Sequence, residues 1–474
     1  MTDYELVVGI ETHVQLKTRT KLFCGCAIQF GAPPNTQVCP ICLGHPGSLP
    51  VLNRAAFELG LRAALALNCS IAPDTKFDRK NYFYPDLPKN YQISQYDQPF
   101  SSKGWVEIET GKKIGITRAH LEEDAGKLIH EEKGTRSFID LNRTGTPLVE
   151  IVTEPDMRSS TEAFDFLTAL KHTLEFLDVS TCDMEKGHLR CDANVSVRLK
   201  GAERFGVKAE VKNLNSFRFL KQALDYEIAR QVGILEGGGA IPQETRLFNP
   251  DTGETAGMRS KEHAHDYRYF PEPDLAPLRV SDAWLDEIRA AMPELPRQKR
   301  ARFIERYGLS EYDADVLTAN RPIAEYYEKA ATASGEPKLS ANWVMGDLMG
   351  ALNADGKAIA DSPVTPQRLG ELIALIRRGE ISGKMAKEIF PKMFASGEAA
   401  PVIMEREGLK QISDTGAIER IIDTVLEQNA KQVEQYKSGK TAVLGFLVGQ
   451  VMKASRGQAN PGTVNEMLRR KLEG

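Results

Sequence analysis

The sequence predicts an α+β chain: a mixed or antiparallel sheet fills the N-terminal part, and an all-helical domain and a small helical tail domain follow. Three observations lead there. Stretches between residues 4 and 213 alternate apolar and polar side chains with the period of two that suits a half-buried strand. Beyond residue 296 the apolar positions recur every three or four residues, the period of an amphipathic helix. Between the two regimes, Pro293-Glu-Leu-Pro296-Arg-Gln-Lys-Arg breaks the pattern with two prolines and a charge cluster, and a second break falls near 397–412. The expected domains are therefore 1–294, 295–407 and 408–474, in keeping with a 474-residue chain too long for one ordinary core.

Composition narrows the class. With 41% hydrophobic and 27% charged residues, and no apolar run long enough to span a bilayer, a globular protein without a membrane segment is expected. The N-terminus, MTDYELVVGIE, has no basic region ahead of an apolar one, so no secretory signal is expected and the chain is read as cytoplasmic. The net charge of −4 conceals an asymmetry: from Lys437 onward, Lys437, Lys440, Lys453, Arg456, Arg469, Arg470 and Lys471 meet only Glu466 and Glu473. An acidic body with a basic tail suits a cation-dependent site in front and a polyanion grip behind.

In residues 4–17 Leu6, Val8, Ile10, Thr12, Val14 and Leu16 fall on one face of a strand, and Val7, Gly9, Glu11, His13 and Gln15 on the other. Glu11 and His13 thus point the same way and can share a cation or a proton; a solvated strand face is the plain alternative. Cys24 and Cys26, then Cys39 and Cys42, form two close pairs. In a reducing compartment they fit a tetrahedral thiolate zinc site better than disulfides. Cys69, Cys182 and Cys191 are isolated and read as buried thiols. A helix is expected over 53–67. Residues 79–95 show neither period; three tyrosines, two lysines and two asparagines among Pro85 and Pro88 read as a stiffened loop that presents polar groups.

A strand is expected at 113–118, followed by the run Glu122-Glu123-Asp124. Three consecutive acids repel one another unless solvated or bound to a cation, so the run is a surface or a metal site. Glu150 stands alone in the apolar strand Leu-Val-Glu-Ile-Val, which is costly unless it has a partner or faces a cavity. Ser159 and Glu162 form a capping box for a helix with apolar positions Phe164, Leu167, Leu170, Leu174 and Leu177. The clearest alternation is Leu189, Cys191, Ala193, Val195, Val197, Leu199 against Arg190, Asp192, Asn194, Ser196, Arg198. Asp, Asn and Ser are poor strand formers, so this polar row looks selected for a site. Val207, Ala209 and Val211 against Lys208, Glu210 and Lys212 suggest its hairpin partner, and Asn213, Asn215 and Ser216 can cap the next helix. Helices are expected at 311–332, 338–353, 366–378, 384–395, 416–436, 441–454 and 463–472. Ser438-Gly439-Lys440-Thr441 mimics the end of a phosphate-binding loop, but Glu434 stands where that motif needs glycine and no strand precedes it.

Taken together, GIETHVQL, KNYFYPDLPKNYQISQ, HLEEDAGK, DLNRTGTPLVEIV, LRCDANVSV, EVKNLNSF, DYRYFPEPD and FLVGQVMKASRGQANP resemble the B-subunit family of the bacterial heterotrimeric amidotransferases. Those enzymes convert Glu-tRNA(Gln) and Asp-tRNA(Asn) to the amidated forms, and the resemblance runs from about residue 4 to the end. It implies a cradle domain, a helical domain and a helical tail. It also implies a two-step chemistry: ATP phosphorylates the side-chain carboxylate of the misacylated residue, and ammonia displaces the phosphate. The ammonia comes through a channel from an amidase (glutaminase) subunit, and a small third subunit wraps the pair. By this resemblance Glu11, His13, Glu122, Glu123 and Glu150 are candidates for catalysis and the Mg²⁺ site, with His13 a weaker or water-mediated ligand. Lys80, Asn81, Tyr82, Tyr84, Arg190, Asp192, Asn194, Lys212 and Asn213 would position ATP and the aminoacyl end. Cys24, Cys26, Cys39 and Cys42 would hold a structural Zn²⁺, and Lys437, Lys440, Lys453 and Arg456 would grip tRNA. A non-catalytic tRNA-binding scaffold explains the basic tail but not the inward-facing acids. No Ser-Lys or Cys-His arrangement for glutamine hydrolysis is visible, which favours a partner for ammonia.

Overall fold

The strand Tyr4–Gln15 is the spine of a nine-stranded sheet. In a computed structural model, which describes residues 3–131, 134–258, 267–408, 415–455 and 458–473, the order from one edge begins Glu254–Gly257, Glu244–Asn249, Ala209–Lys212 and Leu189–Leu199. It continues through Tyr4–Gln15, Pro147–Thr153, Lys113–Glu123, Ser101–Glu107 and Ser70–Ile71. All neighbours run antiparallel except Ala209–Lys212 and Glu244–Asn249, which are parallel, so the sheet is mixed. The chain is α+β, as expected.

One face of this sheet is apolar and buried beneath helices. Ile10, Val14, Leu121, Val149, Ile151, Ala193 and Val195 join residues of the helices Arg54–Ala66, Ser160–Phe176 and Phe217–Glu236 in a single core. Each large apolar side chain moved out of water contributes on the order of 1.5–3 kcal/mol. Gly60 lets the first helix settle on Leu121: a Cβ there would stand 3.2 Å from Leu121 Cδ2. The caps follow the sequence, since Asn53, Ser159 and Ser216 accept from backbone N–H groups of the first turns. The box at Ser159 is half formed, because Glu162 accepts from Arg158 N rather than reaching back to Ser159.

Several expectations need correction. The strand expected at 113–118 continues to Glu123. Phe164 is exposed and Phe166 fills the core in its place, because each residue turns the helix face by about 100°. Val207 lies outside the strand, exposed, although Ala209–Lys212 does pair with the polar row as a hairpin partner.

The contacts divide the chain into two units, Met1–Leu295 and Pro296–Gly474. Every described element of the second is helical. The single helix expected at 311–332 is two, Glu311–Leu317 and Arg321–Ser334: Asn320 caps the second, and Pro322 in its first turn cannot continue a helix from upstream. The 338–353 stretch is Pro337–Trp343, a π-turn at Val344–Leu348, and Met349–Ala354. Pro296–Tyr307 and Ala400–Glu407, read as boundary segments, are helices. The tail has its own core of Ile418, Ile422, Val425, Leu447, Val451, Val464 and Leu468. Among the described residues no helix is long and apolar enough to cross a membrane.

One buried charge in the first unit carries a stability prediction. Glu227 is fully buried, accepts from Arg230, Gln231 and Thr255, and pairs with Arg246 at 3.0 Å. Burial alone would raise its pKa, but these donors outweigh burial and lower it. A depressed folded pKa stabilises above the unfolded value, and the stability is lost as pH falls through the folded one. Glu227→Gln should cost ~3 kcal/mol at neutral pH. The deficit should shrink as pH drops below the ordinary glutamate range, as measured by chemical denaturation across pH.

Candidate active site

Four adjacent strands set four polar side chains in one row. The registers pair Arg190 with His13, His13 with Glu150, and Glu150 with His120. Directly paired residues lie ~5 Å apart, so the row stands on the sheet face that the helices leave open. Glu122, two residues beyond His120 on the same face, closes on the row: His13 Nδ1 and Glu122 Oε1 are 2.8 Å apart, and His120 Nε2 and Glu150 Oε2 are 3.3 Å apart. Ligand atoms of His13, Glu122 and Glu150 all lie within 4.8 Å of one another.

The electrostatics follow from that geometry. Burial disfavours a charged His13, yet Glu122 and Glu150 outweigh it and raise its pKa to about 9. Burial likewise opposes ionisation of Glu150, but the hydrogen bond from His120 and the charges of His120, His13 and Lys80 hold its carboxyl well below the usual range. His13 thus stands beside two carboxylates whose charges favour a positive charge at this point. Two carboxylates and an imidazole suit a divalent ion that keeps further positions open for phosphate oxygens or water.

The three consecutive acids are neither a surface nor one site. All three are buried, and each turns to a different cation. Glu122 meets His13; Glu123, on the other strand face, pairs with Lys89 and accepts from Ile93 N at 2.9 Å; Asp124 is held by Arg143 at 2.6 Å and Arg190 at 2.8 Å. Glu123 is thus not brought to the His13 cluster. Glu11 points the same way as His13 but accepts from Asn194 Nδ2 at 2.9 Å and stands outside the three-ligand set.

The other candidates divide between facing the row and holding the scaffold. Lys80 faces it, its charge bearing on Glu150 and its Nζ 4.8 Å from the Tyr267 ring centroid. Tyr82 packs edge-on against Tyr267, and burial, then Asp86 and Glu122, push its phenol up. Asp192 pairs with Lys212 at 2.7 Å, extending the polar face. Asn81 donates to Arg268 O at 2.8 Å and Asn213 to Phe248 O at 2.9 Å, so both hold backbone. Tyr84 is 44% exposed. The residues that the sequence reading misses are His120, Lys89, Arg143 and the tyrosines at 267 and 269; extending the alternation past residue 118 finds His120.

The four cysteines Cys24, Cys26, Cys39 and Cys42 converge, with sulfur atoms within 4.8 Å of one another. Cys42 is held below the usual thiol range by hydrogen bonding from Cys24, helped by Cys39 N and Lys21. Four thiols this close suit a tetrahedral ion and leave no position for substrate. Cys69, Cys182 and Cys191 are free and buried. In the tail, Lys437, Lys440 and Lys453 are exposed; Arg456 lies outside the described residues.

Residues 6–286, which carry the whole row, match the GatB/GatE catalytic domain, and residues 325–472 match the GatB domain. The chain belongs to the GatB/GatE family. A Geotalea daltonii protein is 55% identical over the full length of both chains. Proteins of Carboxydothermus hydrogenoformans, at 55%, and Syntrophotalea carbinolica, at 56%, align over at least 99% of each chain. All three carry the name of the B component of aspartyl/glutamyl-tRNA(Asn/Gln) amidotransferase, so this GatB-family chain resembles one part of a multi-subunit enzyme.

The Lys89 and Glu123 pair makes the division of the acids testable. Their side chains are 6% and 2% exposed. Lys89→Met strands a buried carboxylate and should cost ~3–5 kcal/mol. Adding Glu123→Gln should recover more than half of the loss in a denaturation double-mutant cycle.

Proposed function

We propose that the Met1–Leu295 unit carries out ATP-dependent phosphorylation of the side-chain carboxylate of Asp or Glu on misacylated tRNA, and then its amidation. The observation that carries this reading is the convergence of His13, Glu122 and Glu150 on an otherwise polar sheet face beneath Lys80. A carboxylate oxygen of the aminoacyl group attacks the γ-phosphorus, and ADP leaves. Ammonia then adds to the acyl carbon, phosphate departs, and a proton is lost from nitrogen. A bound Mg²⁺ would neutralise charge developing on the transferred phosphoryl group. Lys80 lends a further positive charge over the row, Glu11 extends its acidic floor through Asn194, and Asp124 orients Arg190 beside it. A cavity of about 850 Å³ lined by Arg143, Arg190, Asp192 and Asn213 offers room for the aminoacyl end.

Ammonia would come from a partner glutaminase subunit, with a small third subunit completing a cytoplasmic assembly. Zinc at Cys24, Cys26, Cys39 and Cys42 would be structural. The tail 408–474, with Lys437, Lys440 and Lys453 exposed, would add phosphate contacts to tRNA, which weaken with salt.

Glu150→Gln keeps the shape and removes the charge. It should lower tRNA-dependent ATP hydrolysis by ~100-fold or more. Amidation should fail with free ammonia as well as with glutamine, while tRNA binding holds. Normal ATP hydrolysis would make these carboxylates structural and favour a scaffold. Replacing Cys39 and Cys42 with Ser should lower zinc content and melting temperature together, read by metal analysis and calorimetry.

A further inference from the structure

Of the two histidines in the row, His13 belongs to the three-ligand set and His120 does not. His120 is 2% exposed, and its Nδ1 is buried with no hydrogen-bond partner among the described residues. Its Nε2 stands 3.3 Å from Glu150 Oε2. An imidazole so placed is half satisfied, and burying an unpaired nitrogen is a cost that an apolar side chain of similar size would not carry. The polar tie that remains is to Glu150, so what His120 contributes passes through that carboxylate.

On the side away from Glu150, side chains rather than a strand fix the backbone that carries His120. The neighbouring strand Ser101–Glu107 begins at Ser101, opposite Ala119, and reaches no further along this edge. Buried side chains close the edge instead. Ser101 Oγ donates to Ala119 O at 2.7 Å, Gln95 Oε1 accepts from Leu121 N at 3.0 Å, and Gln92 Nε2 donates to Glu123 O at 2.7 Å. Gln95 is itself held, its Nε2 donating to Thr75 Oγ1 at 2.7 Å. The residues on both sides of His120 are therefore pinned, and direct cross-strand pairing sets His120 and Glu150 side by side on one face. A supporting layer of this kind is what holds a ligating side chain to one geometry.

We propose that His120 is a positioning residue for the cation site: its Nε2–H holds Glu150 Oε2 and leaves the other carboxylate oxygen to the ion shared with His13 and Glu122. The proposal rests on reading that cluster as the cation site of phosphoryl transfer. In this role His120 touches neither the ion nor the substrate. Without its hydrogen bond the Glu150 carboxylate is free to turn about its last torsion, whose preferences are broad, and the ligand set loosens.

The test uses the full chain assembled with its partner subunits and Mn²⁺ as the probe, its binding followed by the electron paramagnetic resonance of the free ion. His120→Asn, whose amide falls short of Glu150, should weaken Mn²⁺ binding about tenfold or more, the scale of a lost hydrogen bond to a metal ligand. His120→Gln, whose amide reaches the place of Nε2, should restore most of the affinity. In a Glu150→Gln background His120→Asn should add no further loss, because its effect passes through Glu150. Raising Mg²⁺ should bring ATP hydrolysis by His120→Asn back toward the wild-type kcat. Calorimetry checks that each variant folds, and His120→Leu, of similar size and without a donor, repeats the test of His120→Asn. Equal losses in His120→Asn and His120→Gln, or losses that add to that of Glu150→Gln, would overturn the positioning role. So would an unchanged affinity in His120→Asn where Glu150→Gln alone weakens Mn²⁺. Unchanged Mn²⁺ binding in Glu150→Gln itself would remove the reading of the cluster as a cation site, and this proposal with it.

Discussion

The structure turns on one cross-strand row, Arg190, His13, Glu150 and His120, held in register by three antiparallel pairings. Because the side-chain period of a strand is two, a slip of one residue in any of these strands would send its member of the row into the apolar core. The opposite face prevents such a slip. Ile10, Val14, Val149, Ile151, Leu121 and Ala193 are buried beneath helices on that side and fix every strand's phase. The apolar core thereby sets the geometry of the polar face, and the precision of the site derives from residues that never touch it.

The same alternation resolves the apparent conflict of three adjacent acids. In a strand, Glu122 and Glu123 project to opposite faces, so their charges are separated by the sheet rather than crowded. Each then finds its own counterion, and all three are buried without a shared cation. Splitting the run lets Glu122 serve the His13 cluster, Glu123 lock the Lys89 loop, and Asp124 orient two arginines.

Much of this is legible in the sequence, and the parts that are not have two causes. The alternation in 4–16 and 189–197 assigns the correct faces, though Leu199, read as inward, is exposed at the strand end; both Glu11 with His13 and the polar row from Arg190 follow from period alone. Propensity ends the 113–118 strand five residues early because His120, Glu122 and Glu123 are polar, while strands favour β-branched and aromatic residues. Tertiary pairing with Pro147–Thr153 overrides that preference. His120 therefore gets no site role from the sequence, and Glu122 and Glu123 look equivalent. Tyr267 and Tyr269 escape for another reason: they reach the site from a segment far along the chain from Lys80 and Tyr82, which no local pattern encodes.

The cysteine knuckle is joined to the row by polar bonds. Lys21, fully buried, stands 3.6 Å from Cys42 Sγ and donates to Gln37 O at 2.7 Å. Gln37 N donates to Asn142 Oδ1 at 2.8 Å, and Asn142 Nδ2 returns to Pro33 O at 2.7 Å, so the loop between the cysteine pairs is stitched to the turn that carries Arg143. Arg143 in turn clamps Asp124, which holds Arg190. Lys21 is also one of the groups holding the Cys42 thiol below its usual range, after hydrogen bonding from Cys24 and Cys39 N. The Lys21 contacts thus steady the Gln37 and Asn142 bonds, and these fix the arginine pair at the end of the row. A cysteine cluster with no open position for substrate can in this way still govern how sharply the charged end of the row is defined.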